Sequence, residues 1–437
     1  MRYAFAVTAG IVAVFVLLGR LDKDVDDGRA VIEFWSYGSG GAKNPAGVFW
    51  ETVAQRFMDA YPDVRVKVVA DIAHSPYLSV LTTRFIGGNP PDVMIMDDWF
   101  AGPLAHEGLL MPLEGFIRAD PAYNADEFPP SMVGDGYVGK QRYGIPWYGG
   151  FGCLFYRTDV FAEAGVAPPQ TWDELIEVGA ALQERANLEH PFAFTPRAAF
   201  WMMPWAWQNG AMVMTPDCRT VTVDTPKFIE AVQFVHDLLH RHGLADPALA
   251  LGAKITDLWS AGEAVLLIDG SWNIGRYDEL YPQWIGRWDV APLPAGKHRV
   301  GFFGGQHLLM SQQTPHPEIA WAFMSFATSA ESQLLFADIG GYPPGNLEVY
   351  AMAAFQERHP RLRIAPEVMR HGRNNRFAPF YKKVWYELFQ SKVLDVVMAE
   401  SRADIAAAIR QVAPEMQAVA DDYWHTHDYY VQGAPVP

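Results

Sequence analysis

The feature that most constrains this chain is an alternation that begins at residue 30. Ala30-Val31-Ile32-Glu33-Phe34-Trp35 reads as a strand, and it runs out into the glycine-bearing stretch Ser36-Tyr37-Gly38-Ser39-Gly40-Gly41. Phe49, Val53, Phe57 and Tyr61 then recur at i, i+4, the spacing of a helix with one apolar face. Pro62 stops that helix, because proline has no N–H to continue it. Val64, Val66, Val68 and Val69 make a second strand. Residues 76–86 read as a second helix, closed by Gly87-Gly88-Asn89-Pro90-Pro91, and Asp92-Val93-Met94-Ile95-Met96 is a short buried strand. Strand, helix, strand, helix, strand is the pattern of a parallel sheet covered by helices, since parallel neighbours need a crossover between them.

The same rhythm continues at wider spacing. Strand-like runs stand at 151–156, 264–268, 288–291 and 307–310, and helices at 171–187, 225–241, 316–328, 330–337, 377–398 and 402–423. No repeat of 20–50 residues is present, which removes solenoids and propellers. The 437 residues amount to two or three domains, or two large lobes, at about 150 residues each. In open parallel sheets ligands bind beyond the carboxyl ends of the strands. Those positions hold Tyr37 and Ser39, Asp97-Asp98-Trp99, Trp147-Tyr148-Gly149-Gly150, Asp269-Gly270-Ser271-Trp272 and Gly304-Gly305-Gln306. Each offers an aromatic plate, a carboxylate or open backbone amides.

Charge and motif content narrow the function classes. With 34 basic against 50 acidic residues the net charge is −16, the wrong sign for a nucleic-acid partner. The two cysteines, Cys153 and Cys218, form no CxxC, so a Cys-rich zinc site or a thioredoxin-type motif is excluded. Cys153 lies in a strand-like run and reads as a buried free thiol, with a Cys153–Cys218 disulfide as the alternative. His236 and His240 stand i, i+4 on an expected surface helix, but no Glu completes an HExxH, and no metal is expected. There is no GxSxG, P-loop or GxGxxG, and no cofactor is expected. Asp97 and Asp98 are adjacent on an extended segment and point apart, so the opposed carboxylates of a glycoside hydrolase are not legible. The five arginines between Arg361 and Arg376 read as a solvated face, with transporter docking or grip on an acidic sugar as alternatives.

The order of landmarks resembles the extracellular solute-binding proteins of ABC importers, in the carbohydrate (maltose-type) branch. The resemblance spans roughly residues 30–425. It rests on Phe57-Met58-Asp59-Ala60-Tyr61-Pro62-Asp63-Val64, on Gly87-Gly88-Asn89-Pro90-Pro91-Asp92-Val93, and on Gly108-Leu109-Leu110-Met111-Pro112-Leu113. Its most telling stretch is Tyr143-Gly144-Ile145-Pro146, then Phe155-Tyr156-Arg157-Thr158-Asp159-Val160-Phe161-Ala162-Glu163-Ala164-Gly165, then Thr171-Trp172-Asp173-Glu174-Leu175. Gly270-Ser271-Trp272 and Ala320-Trp321-Ala322-Phe323 follow later. Arg157-Thr158 depart from the Asn-Lys pair usual in the family. The resemblance implies a two-lobed α/β periplasmic-binding-protein-like fold of type II, each lobe a largely parallel sheet flanked by helices. It places lobe I at 30–145 and 295–330, lobe II at 146–294 and 331–430, and a tail at 431–437. It also implies hinge closure on a ligand held between the lobes.

A sugar presents an apolar C–H face and a hydroxyl edge, so its cleft needs aromatic plates beside Asp, Asn, Gln and backbone amides. Family position makes Trp272, with Trp147 or Tyr148, the plates from lobe II, and Tyr37 and Trp99 those from lobe I. Asp97 or Asp98 would take hydroxyls, Gly304-Gly305 would offer amides, and Tyr342 would complete the cleft. Trp201, Trp205 and Trp207 read as a loop cluster that forms either a cleft wall or its own packing. Trp35, Trp172 and Trp321 sit inside element patterns and read as core. Asp269 either joins the cleft or caps a helix at Gly270-Ser271. The expected function is capture of a mono- or oligosaccharide by a monomer and its delivery to ABC transporter permease subunits. The rivals are a secreted carbohydrate-active enzyme, a tethered sugar sensor, and the same fold holding a glycerol-phosphate ester or polyamine.

Arg2 precedes an uncharged, largely apolar run from Tyr3 to Gly19, followed by Arg20-Leu21-Asp22-Lys23-Asp24. No small-x-small site and no lipid-accepting cysteine follow the run, so residues 1–29 read as an uncleaved anchor to the cytoplasmic membrane plus linker, with signal cleavage as the alternative. The positive flank places the rest of the chain outside. An anchored chain should stay with the membrane pellet through an alkaline wash; its recovery in the soluble envelope fraction would sink the anchor.

Overall fold

The structure, a computed structural model, describes residues 27–38, 44–97, 101–374 and 380–426. The first strand, β1 (Ala30–Gly38), turns Ile32 and Phe34 fully inward. Helix α1 (Pro45–Ala60) starts at Asn44, whose side-chain oxygen accepts from the Ala46 N–H, with Pro45 preset for the first turn. It buries Phe49, Trp50, Val53, Ala54 and Phe57. β2 (Val64–Ala73) runs parallel to β1, with Ala30 beside Val64 and Trp35 beside Val69. Helix α2 (His74–Ile86) returns the chain to β3 (Val93–Asp97), parallel to β1 on its other side.

The remaining strands of the main sheet are β4 (Gly144–Arg157), β5 (Phe192–Ala193), β6 (Leu266–Gly270), β7 (Trp288–Pro292), β8 (Gly301–Met310) and β9 (Gly372–Arg373). Hydrogen bonding joins them in the order β2-β1-β3-β8-β4-β6-β5, with β7 also on β4 and β9 on β8. The expectation of a largely parallel sheet is corrected to a mixed one. β3 with β8, β8 with β4, and β4 with β6 and β7 are all antiparallel. The reason is that β4 and β8 carry the chain between the lobes in opposite directions, and two such strands side by side must pair antiparallel.

Gly149-Gly150 and Gly304-Gly305, expected in loops, lie inside these crossing strands. Gly304 faces Gly150 and Gly305 faces Gly149. A Cβ at Gly305 would sit on the Tyr148 carbonyl oxygen, so the strands can approach here only without side chains. One residue further along, the register shifts between Gln306 and His307, a bulge that takes up Trp147.

Two cores flank the crossing. The first gathers β1 to β3 and α1 around Trp50, whose ring meets Phe34 at 4.2 Å and Trp147 at 4.7 Å. The second spans Phe151 to Phe303 and Ala337 to Trp424, with Met132. Among the helices further along the chain are α3 (Ala199–Gln208), α4 (Pro226–His240), α5 (Ile274–Leu280), α6 (Pro317–Thr328), α7 (Ala330–Gly340), α8 (Lys382–Leu394) and α9 (Ile405–Thr426), of which α4, α6, α7, α8 and α9 come close to expected spans. Two findings differ. The tryptophans 201, 205 and 207 lie in a helix, α3, not a loop; Pro204 in its interior and its nearly all-apolar sequence hid the helical period. Phe336 of α7, beyond the expected return to lobe II at residue 331, packs in the first core, with Leu335 and Ile339 against it.

Cys153 and Cys218 form no disulfide with each other, and Cys153 is fully buried. His236 and His240 direct their Nε2 atoms to the carbonyls of Glu400 and Met398, at 2.9 Å each. Arg361 pairs with Asp278 at 2.7 Å and stacks over Trp288, and Arg363 pairs with Asp289. The apolar run 3–19, Ser39, Asp98, Trp99 and Arg376 lie outside the described residues. Among the described residues no helix is long and apolar enough to cross a membrane.

The strand contact at the crossing is testable by adding one methyl group. Gly305→Ala should lower unfolding stability in urea by about 1–3 kcal/mol, the usual cost of overpacking. Gly301→Ala, whose Cβ would meet only Leu293 Cδ1 at 3.9 Å, should cost far less. Equal effects at the two positions would refute the close-approach account.

Candidate functional site

The carboxyl ends of β1 and β3 and the crossing strands open onto one cavity of about 820 Å³, large enough for a ligand of several rings. Of the residues singled out from sequence, Tyr37, Asp97, Trp147, Tyr148, Trp272, Gly304, Gly305 and Tyr342 line it. Trp205 does not: it is 4% exposed and packs on Trp172 and Phe234 in the second core. Asp269 does not either.

The first lobe contributes a hydrogen-bonded group at the strand ends. The Tyr37 hydroxyl, at the end of β1, donates to the Asp97 carboxylate at the end of β3. Gln306 donates its side-chain amide to the Tyr37 oxygen at 2.6 Å. His74, the first residue of α2, sits 2.9 Å from the other Asp97 oxygen. The Tyr37 ring stands edge-on to His74 and Tyr77, which hold it upright. Asp97 is thus oriented from three sides, yet a carboxylate has about four acceptor sites and keeps capacity for a ligand hydroxyl.

The second lobe contributes an aromatic wall. Trp272 stacks on Trp201, with ring centroids 6.1 Å apart, and meets Phe200 and Phe302 edge-on. Gly150 lies against it, where any Cβ would press on the Trp272 ring and the Tyr148 hydroxyl. Asp269, 8% exposed, accepts from the Tyr277 hydroxyl at 2.6 Å, from Asn273 Nδ2 at 2.8 Å and from the Gly270 N–H. Burial raises its carboxyl pKa, and those hydrogen bonds oppose the rise. It therefore fixes the turn that presents Trp272 and Asn273.

The crossing strands form the floor. Trp147 and Tyr148, expected as second-lobe plates, pack on the first core instead. Trp147 is only 2% exposed, and Phe336 stacks on Tyr342 at 4.9 Å, so the aromatic side chains of the floor are held by packing.

Sequence reasoning missed His74, Asn273, Arg276, Tyr381 and Tyr386 and gave Gln306 no role, yet all six line the cavity. Gln306 follows directly from the glycine pair and was within reach. Tyr381 and Tyr386 were not. They lie at the start of α8, whose wide π-type turns bring residues five apart onto one face. A regular α-helix would send them apart. Burial, with the Asp97 carboxylate adding to it, pushes the Tyr386 hydroxyl up to about 12.

Three comparisons bear on this geometry. The family described as "Bacterial extracellular solute-binding protein" matches residues 41–334. An arabinooligosaccharide-binding protein of Halalkalibacterium halodurans is 25% identical over 350 residues, 76% of this chain and 75% of its own. A maltotriose-binding protein of Pyrococcus abyssi is 24% identical over 385 residues, 84% and 78% of the two chains. The solved structure of the sugar-binding protein MalE from Xanthomonas citri superposes with a TM-score of 0.82 at 20% identity, covering 92% of this chain and 100% of that one. The fold is therefore the two-lobed α/β one of periplasmic binding proteins.

The His74–Asp97 pair carries a pH signature. The hydrogen bond to Asp97 raises the His74 pKa above the ordinary imidazole value, with desolvation partly opposing. A base raised in the folded state stabilises fully below its unfolded pKa, and that contribution disappears as pH rises through the folded one. The stability margin of wild type over His74→Gln should therefore shrink as pH rises across this window; parallel pH profiles would remove the pairing.

Proposed function

The chain belongs to the bacterial extracellular solute-binding proteins, and from that premise we propose that it captures a mono- or oligosaccharide between its lobes and presents it to the permease subunits of an ABC importer. It does so as a monomer on the outer side of the cytoplasmic membrane, and releases the ligand chemically unchanged. The observation that carries this reading is the opposition of Trp272 and its aromatic neighbours to the Tyr37, Asp97 and Gln306 group across one cavity. An apolar sugar face fits the first and a hydroxyl edge the second. The names of the two relatives, one binding arabinooligosaccharides and the other maltotriose, support it. Cleavage of a glycosidic bond takes two flanking carboxyl groups, and the described lining supplies one, Asp97.

Lobe closure follows from the same strands. Pairs of glycines within β4 and β8 give the crossing little side-chain bulk to resist bending. Hinge closure around a ligand is the motion known for periplasmic binding proteins.

A thermal-shift screen of the chain against sugars, polyols, glycerol phosphates and polyamines tests the proposal. A sugar at 100 times its Kd should stabilise by about 2.7 kcal/mol. Trp272→Ala should weaken binding by about 2 kcal/mol or more, as expected for a central aromatic anchor, and Asp97→Ala should weaken it as well. Stabilisation by a polyamine alone, with silence from every sugar, would overturn the sugar reading.

A further inference from the structure

Resting on the sugar-binding reading, one feature of the cleft narrows the ligand further. Arg276 lines the cavity from α5, four residues after Trp272 and so on the same side of the turn. Among the described residues nothing forms a hydrogen bond or ion pair with it. Its charge reaches the cavity floor: burial raises the Tyr342 hydroxyl pKa, and Arg276 opposes the rise. The other charged side chains of the described lining, His74 and Asp97, are paired with each other at 2.9 Å. Arg276 is thus the one charged side chain of the described lining without a partner.

A second observation points the same way. Asn44 and Trp147 also line the cavity, are 8% and 2% exposed, and leave Asn44 Nδ2 and Trp147 Nε1 without an acceptor. The lining thus adds two unmet donors to the guanidinium, while Asp97 keeps acceptor capacity for the hydroxyls of the sugar.

We propose that the ligand carries an anionic oxygen group, a carboxylate or a phosphate, which Arg276 grips beside the sugar ring lying on Trp272. The planar guanidinium fork matches both groups bidentately. An anion of this kind on a sugar or short polyol is the substrate class the cleft selects.

The test uses the full-length chain and matched pairs in calorimetric titration at low and high salt. Galacturonic acid is set against galactose, oligogalacturonates against galacto-oligosaccharides, glucose 6-phosphate against glucose, and glycerol 3-phosphate against glycerol. The acidic member of at least one pair should bind about 10- to 100-fold tighter, the worth of a hydrogen bond to a charged group. That advantage should fall with salt. Arg276→Gln should abolish it without lowering the melting temperature, since Arg276 is exposed and unpaired, while Arg276→Lys should keep part of it. An advantage confined to the uronate pairs assigns a carboxylate, and one confined to the phosphate pairs assigns a phosphate ester. Neutral sugars that bind as tightly as their acidic partners, or an acidic advantage that survives Arg276→Gln, overturn the inference and leave the sugar reading standing. Glycerol 3-phosphate binding alone, lost in Arg276→Gln, upholds the anion grip and overturns the sugar. Silence from every pair overturns both.

Discussion

Everything in this molecule hangs on the antiparallel contact between Gly144–Arg157 and Gly301–Met310. These two strands are shared by both halves of the sheet, and they carry the chain from one core to the other. Where they meet between the cores, glycine faces glycine twice. The missing side chains let the backbones close up and leave room for Trp272 over Gly150 and for Asn374 beside Gly304. The same four residues therefore serve as joint, as floor and as clearance for the walls. A side chain at Gly305 would strike the facing backbone, and one at Gly150 would press on Trp272.

The walls differ in character because the two lobes expose different ends of their strands. In the first lobe the parallel strands stop at Tyr37 and Asp97, side by side, and their side chains converge. Gln306 on the crossing strand and His74 at the helix start lock that pair in place. In the second lobe the corresponding acid, Asp269, is turned inward onto Tyr277, Asn273 and its own strand end, and it acts through the turn it holds. Two aspartates in similar sequence settings thus have different work: one offers its oxygens to the cavity, the other spends them on structure. Buried polar groups are satisfied internally or they are costly, and Asp269 follows the first course.

Much was legible from residue pattern. The first two crossovers were set by proline and glycine stops and by i, i+4 apolar spacing, which depend only on local backbone chemistry. Strand ends as ligand positions followed from the topology of open sheets, and Tyr37, Asp97 and Trp272 line the cavity. The glycine pairs misled. Glycine reads locally as a loop, and only strand pairing reveals it as a point of close approach. Helix Ala199–Gln208 was hidden by a proline and by burial on nearly every side, which erases the amphipathic period.

What the sequence determined by itself is the α/β alternation, the net charge of −16, and the stock of aromatic and carboxylate residues at strand ends. Those are properties of neighbours in the chain. What only the tertiary structure decided is which of them face one cavity. Asp97 meets Gln306, 209 residues on, and Tyr386 comes to the same space from the far end of the chain. Trp205 is taken into the core, and Arg276 is left unpaired beside Trp272. Such outcomes depend on long-range packing and on which charges find partners, quantities that no local window of residues contains.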